Sequence, residues 1–206
     1  MWISTKWTLF LLPFRGWGQT QYYMFAEKLP EKLRPYAGVI YFMVVLVCAH
    51  FFWKLTVHGD DTDTIVTFLG WNISVPFNFM ASQVANATFK ILQLFGFDIN
   101  MLDNNVLRHV NGVAVRIVWS CTGLKQAYIF VCIIAFYSGQ YKRKLWYIAA
   151  GLVVIYIVNI LRIAAITALV KPFPEQFELF HEYIFKYLFY VILFGMWVLW
   201  DEKIKN

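Results

Sequence analysis

The sequence predicts an all-α polytopic membrane protein: about four transmembrane helices, one interfacial or partly inserted helix and a small extracytoplasmic β-hairpin. Three observations predict it. Of 206 residues, 60% are hydrophobic and only 15% charged, where soluble domains run nearer 45–50% and about 25%. Four apolar stretches, near 36–55, 121–139, 145–169 and 181–200, approach the length needed to cross a bilayer. Lysine and arginine then gather in segments that four crossings place on one side. The chain reads as one membrane-embedded domain over 1–206. It comprises a basic cytoplasmic N-terminal segment (1–35), a helical bundle (36–200) and a cytoplasmic tail (201–206).

The N-terminal segment carries Lys6, Arg15, Lys28, Lys32 and Arg34, and Pro13, Pro30 and Pro35 interrupt any long helix there. Trp7 to Phe14 is too short an apolar run for a secretory leader, and no small-residue cleavage site follows, so none is expected. After the first span, Asp60, Asp61 and Asp63 sit in a polar loop. Residues 77–97 mix apolar side chains with Asn78, Ser82, Gln83, Asn86, Lys90 and Gln93. That suits a helix at the interface better than a lipid-exposed span.

Residues 105–119 read as a hairpin. Asn111-Gly112 is a type I′ turn signal, and Val113, Val115, Ile117 and Trp119 follow at strand period. The connector Gln140-Tyr141-Lys142-Arg143-Lys144 is the most basic loop, and the one around Lys171-Pro172-Phe173-Pro174-Glu175 is long and proline-rich. With the N-terminus in the cytoplasm and 77–97 not crossing, ten of the 18 basic residues fall inside. The aspartate loop and the loop holding Glu175 and Glu178 fall outside, as the positive-inside rule requires. The net charge of +6 is thereby explained by loops facing anionic lipid rather than by nucleic acid, which is not an expected partner.

Under this topology three reactive residues reach one leaflet. Cys121 opens a span at the outer boundary. Arg162 lies seventeen residues beyond Leu145, roughly 25 Å along a core about 30 Å thick, so it too lies near the outer edge. His181 opens the last span there. A thiol at a helix N-terminus gains thiolate character, and Lys125 at i+4 would help. His181 could take the thiol proton and later protonate a leaving amine. Arg162 could stabilise an oxyanion or hold a carboxylate. Asn159 and Tyr156, each one turn earlier than the last, continue a polar stripe.

The plainer readings differ by residue. An isolated membrane cysteine is ordinarily a packing residue, which is how Cys48 and Cys132 are read; the Ser-Cys-Thr-Gly context sets Cys121 apart. Cys121 and Cys132 would be roughly 16 Å apart on one helix, too far for a disulfide. His181 could be an interfacial anchor, Lys186 could pair with Glu182, and Lys125 could only snorkel outward. Arg116 is a further catalytic candidate, although an arginine on a hairpin face more often binds headgroups. His50, His58 and His109 show no metal-ligand spacing and read as structural, so neither a metal nor a cofactor is expected. A non-enzymatic reading also stands: the solute-binding subunit of a small-solute transporter.

Cys121-Thr122-Gly123-Leu124, Asn159-Ile160-Leu161-Arg162 and His181 resemble, in order, the three boxes of the exosortase/archaeosortase family. The resemblance covers about residues 105–200. It implies an extracytoplasmic thiol transpeptidase or protease in a prokaryotic inner (plasma) membrane, with Cys121 as nucleophile, His181 as acid/base and Arg162 as transition-state stabiliser. Thr122 and Gly123 enter as box residues. Implied partners are exported proteins with a C-terminal motif, helix and basic tail, membrane lipid, and a lipid or polysaccharide acceptor. The chain shows fewer apparent spans than the larger exosortases, so helix count and acceptor are not carried over.

Overall fold

A computed structural model describes residues 17–206 except 61–64, 111, 177 and 206. Lys6, Arg15, Asp61, Asp63 and Asn111 therefore lie outside the described residues, as do the side chains of His181 and Glu182. The described residues form six α-helices in order: α1 (Trp17–Lys28), α2 (Ala37–Thr56), α3 (Ser74–Leu94), α4 (Leu124–Phe136), α5 (Tyr141–Val170) and α6 (Phe185–Leu199). Two small antiparallel sheets lie between them. One joins β1 (Val57–Gly59), β2 (Val66–Phe68) and β3 (Trp71–Asn72); the other joins β4 (Ile99–Leu102), β5 (Val106–His109) and β6 (Ala114–Arg116).

Among the described residues, two helical segments are long and apolar enough to cross a membrane: Glu31–Thr56, which includes α2, and α5. At the other two expected spans the regular helix is shorter. The 13 residues of α4 cover roughly 20 Å of a core about 30 Å thick. The 15 residues of α6 are flanked by π-type turns at Leu179–Ile184 and Trp200–Ile204.

The chain divides into two compact units. The first comprises 1–51, 128–151 and 193–206, and its core is aromatic. Tyr22 meets Tyr137 with ring centroids 5.0 Å apart, Tyr137 meets Trp197 at 5.6 Å, and Phe42 meets Trp197 at 4.9 Å. Gly151 leaves the space that a ring needs: a Cβ there would lie 2.2 Å from Phe130.

The same unit resolves a problem common to every helix, the unpaired carbonyls of its last turn. Behind α4 these are taken by side chains. Lys144 donates to the Ala135 carbonyl at 3.0 Å and also to that of Tyr137. Tyr41 donates to Phe136 at 3.1 Å and Trp200 Nε1 to Ser138 at 3.0 Å. Lys142–Lys144 thus form the first turn of α5 rather than a loop, and Lys144 is buried. A cation beside a helix C-terminus also complements its dipole.

The second unit comprises 52–127 and 152–192. The strands β1–β3 flank the stretch expected as a polar loop after the first span, and Asp60 lies in none of them. The alternation at Val66, Thr67 and Phe68 supplies the strand, with Val57 opposite Phe68. The paired segment near 105–119 is β5 and β6, with Leu107 opposite Val115; β4 adds a third strand, Met101 opposite Leu107. Helix α3 begins at Ser74, and it buries Phe77, Ala81, Val84, Ala85, Thr88 and Leu92. These recur at three- and four-residue steps, so one face packs while Gln83, Asn86, Lys90 and Gln93 stay out.

Candidate active site

Cys121 lies on a 3-10 turn, Trp119–Cys121, that follows β6 and precedes α4. The sequence placed it at the head of a regular helix; the helix begins three residues later, at Leu124. Gly123 is the reason. Its φ of +80° is left-handed, where side-chain-bearing residues are strained, so the chain breaks stride between thiol and helix. The turn is closed by the Cys121 amide donating to Val118 O at 2.9 Å. Thr122 secures it twice: its hydroxyl donates to Trp119 O at 2.7 Å and accepts from the Leu124 amide at 3.4 Å.

Asn159 joins this turn to α5. Its Nδ2 donates to the Cys121 carbonyl at 2.9 Å, and the side chain is fully buried. Gly123 makes the approach possible, because a Cβ there would lie 3.0 Å from Asn159 Cγ. The Cys box and the Asn-x-x-Arg box are therefore in direct contact. Arg162 follows Asn159 by three residues on α5 and is half-buried.

The thiol sits in a buried apolar cluster with Leu107 and Ile117, Ala81, Val84 and Ala85 of α3, and Ile163 of α5. Tyr156 and Phe185 pack against its edge. Phe185 opens α6, one turn after His181, whose backbone lies in the π-type turn Leu179–Ile184. The elements bearing Cys121 and Arg162 thus contribute to one cluster, and the helix that follows the His181 turn packs against it through Phe185.

Two supporting candidates are placed differently. Lys125 is half-buried in the first turn of α4. Arg116 is exposed on β6, on the sheet face opposite Leu107, Val115 and Ile117. Since Leu107 and Ile117 pack with Cys121, Arg116 is directed away from that cluster.

Sequence reasoning overlooked the turn's supports. Phe77 meets Trp119 edge-on with centroids 6.1 Å apart, and Trp53 joins the same aromatic group. Gly59 admits the indole, since a Cβ there would stand 2.7 Å from it. His109 is buried, and its Nε2–H donates to the Thr167 carbonyl at 2.8 Å, tying β5 to the last turn of α5. The one available signal was the position of Trp119, two residues before the thiol.

No curated protein and no solved structure matches the chain. The family model described as transmembrane exosortase matches residues 23–199. That family is generally one of membrane cysteine transpeptidases connected with protein sorting. The match includes both boxes that meet at the Cys121 turn, and His181. With most of its length covered, the chain belongs to the transmembrane exosortase family.

Proposed function

We propose that this protein is an extracytoplasmic cysteine transpeptidase, crossing the prokaryotic inner membrane four times, that processes the C-terminal sorting tails of exported proteins. The observation that carries the reading is the Asn159–Cys121 contact, which fixes the candidate nucleophile to the helix bearing Arg162. In the first step the Cys121 thiolate attacks the scissile carbonyl, and charge develops on the carbonyl oxygen. Arg162, which stays protonated, stabilises that charge. His181, having taken the thiol proton, returns it to the departing amine as the C–N bond breaks. The product is a thioester on Cys121 and a released tail.

An acceptor amine or hydroxyl then attacks the thioester, loses its proton to His181 and restores the thiol. The apolar surroundings of Cys121 favour this outcome, because a shielded thioester meets less water before the acceptor arrives. Arg116 has no step in this scheme, and Tyr156 lines the edge of the cluster. Product analysis of a processed tail-bearing substrate tests the reading. A new ester or amide at the cleaved carboxyl is expected, whereas a free acid throughout the time course would reduce the protein to a hydrolase.

A further inference from the structure

The two-residue loop between β2 and β3 is built against the conformational preference of its first residue. Phe68 pairs with Trp71, so Leu69 and Gly70 make the turn, with φ of +49° and +87°. Left-handed φ at both central residues defines a type I′ turn, which favours asparagine, aspartate or glycine. Among the described residues the other non-glycine positions of positive φ are Asp103 and Asn104, both of the favoured kind. Leucine has no polar side-chain group to offset that strain. Nor does the fold use its side chain: Leu69 is 65% exposed, and Trp71 beside it 79%. A strained, exposed leucine next to an exposed tryptophan serves something outside the chain.

The backbone shows where that something lies. The Leu69 amide donates to the Thr56 carbonyl at 3.0 Å, filling one of the orphan acceptors at the end of α2. The turn is therefore pinned level with the last residue of a segment long and apolar enough to cross a membrane. That segment, Glu31–Thr56, has 26 residues. Its helix covers roughly 40 Å, where the hydrocarbon core is about 30 Å thick and the bilayer with its headgroups about 40–45 Å. A crossing of that length puts Thr56 in the headgroup layer, with Leu55, 72% exposed, in the same turn. Strands β1 and β2 reach away from this level, since Gly59 and Val66 pair at the far end and Asp60 follows there. Tryptophan suits such a layer, its ring being apolar and its N–H polar.

We propose that the Leu69-Gly70-Trp71 tip is an interfacial anchor, seated in the lipid headgroup layer at the C-terminal end of α2. The same sheet supports the Cys121 turn: Val57, Val66 and Phe68 share an apolar cluster with Trp119, which opens the turn ending at Cys121. The anchor thereby sets the depth of the thiol relative to the bilayer surface. That this depth matters for tail processing rests on the proposed function; the anchoring itself does not.

Measurements on the full-length protein in vesicles of phosphatidylethanolamine and phosphatidylglycerol test the anchor. One uses a fluorophore on Leu69→Cys or Ile65→Cys, in a Cys48→Ala/Cys121→Ala/Cys132→Ala background. A lipid nitroxide held near the headgroups should quench the Leu69→Cys probe about twofold or more above the Ile65→Cys probe at the far end of the sheet. Aqueous iodide should give the opposite order. Strong iodide quenching at Leu69→Cys would overturn the proposal. Shielding from both quenchers would also overturn it, and would assign the tip to a second copy of the chain. Hydroxyl-radical footprinting of the wild type needs no substitution. Trp71 should oxidise about fivefold or more slowly in vesicles than in the urea-unfolded chain, and a rate near the unfolded one would contradict seating in lipid. Leu69→Gly relieves the turn, so it should melt in detergent no lower than the wild type, while Trp71 in vesicles oxidises about twofold or more faster. A lower melting temperature would mean that the leucine serves the fold and not the membrane.

Discussion

The side-chain amide of Asn159 donates a 2.9 Å hydrogen bond to the main-chain carbonyl of Cys121. The contact spans 38 residues of sequence and is buried, so neither partner can turn to water if the other is lost. Asn159→Ala should cost about 1–3 kcal/mol, the price of leaving a buried acceptor unpaired. Tail processing should fall at least as far, with the protein still present in membranes. Asn159→Asp should do no better, because an ionised carboxylate cannot donate. Immunoblotting of precursor and product, beside a thermal melt in detergent, measures both.

Gly123 faces two constraints together, a φ of +80° and the 3.0 Å approach of Asn159. Gly123→Ala should therefore lose about 1–3 kcal/mol through the backbone alone, with displacement of Asn159 in addition. Processing should fail more completely than in Asn159→Ala. Activity within about twofold of wild type, on a variant of unchanged melting temperature, would mean that the turn does not need its left-handed residue.

His109 holds β5 to α5 through the Thr167 carbonyl. His109→Ala removes a buried donor and leaves a void, which together should cost about 2–4 kcal/mol. His109→Gln, which can still donate, should recover part of this. Urea or thermal titration of the three proteins gives the order; a glutamine variant no better than alanine would indicate that volume, not the hydrogen bond, matters there.

Lys144 caps the end of α4 from the first turn of α5. Lys144→Met keeps much of the side-chain volume but strips the Ala135 and Tyr137 carbonyls of their donor. A loss of about 1–3 kcal/mol is expected, read as a lower melting temperature. The same replacement at Lys142, which is exposed in that turn, should change it by less than about 0.5 kcal/mol.

Much of the candidate site was legible because its boxes are local. The Cys-Thr-Gly run, the Asn-x-x-Arg spacing and the late histidine are all visible as short patterns, and α2 and α5 announce themselves by length and apolarity. What escaped was set by tertiary context. Cys121 was expected to open a helix, but a single glycine torsion delays that helix to Leu124. Lys144 was counted as a loop cation, yet α5 begins early enough to turn it inward to another helix's carbonyls. The strands β1–β3 were hidden by the aspartates between them, since composition at 60–63 outweighed the short alternation at 66–68. The orientation of Arg116 depended on which sheet face is buried, and strand period alone gives two faces without saying which is which.

The most direct measurement is processing of a tail-bearing substrate by Cys121→Ala and Cys121→Ser in membranes containing wild-type amounts of each variant. The account predicts that precursor accumulates uncut in both. Normal processing by the alanine variant would contradict it.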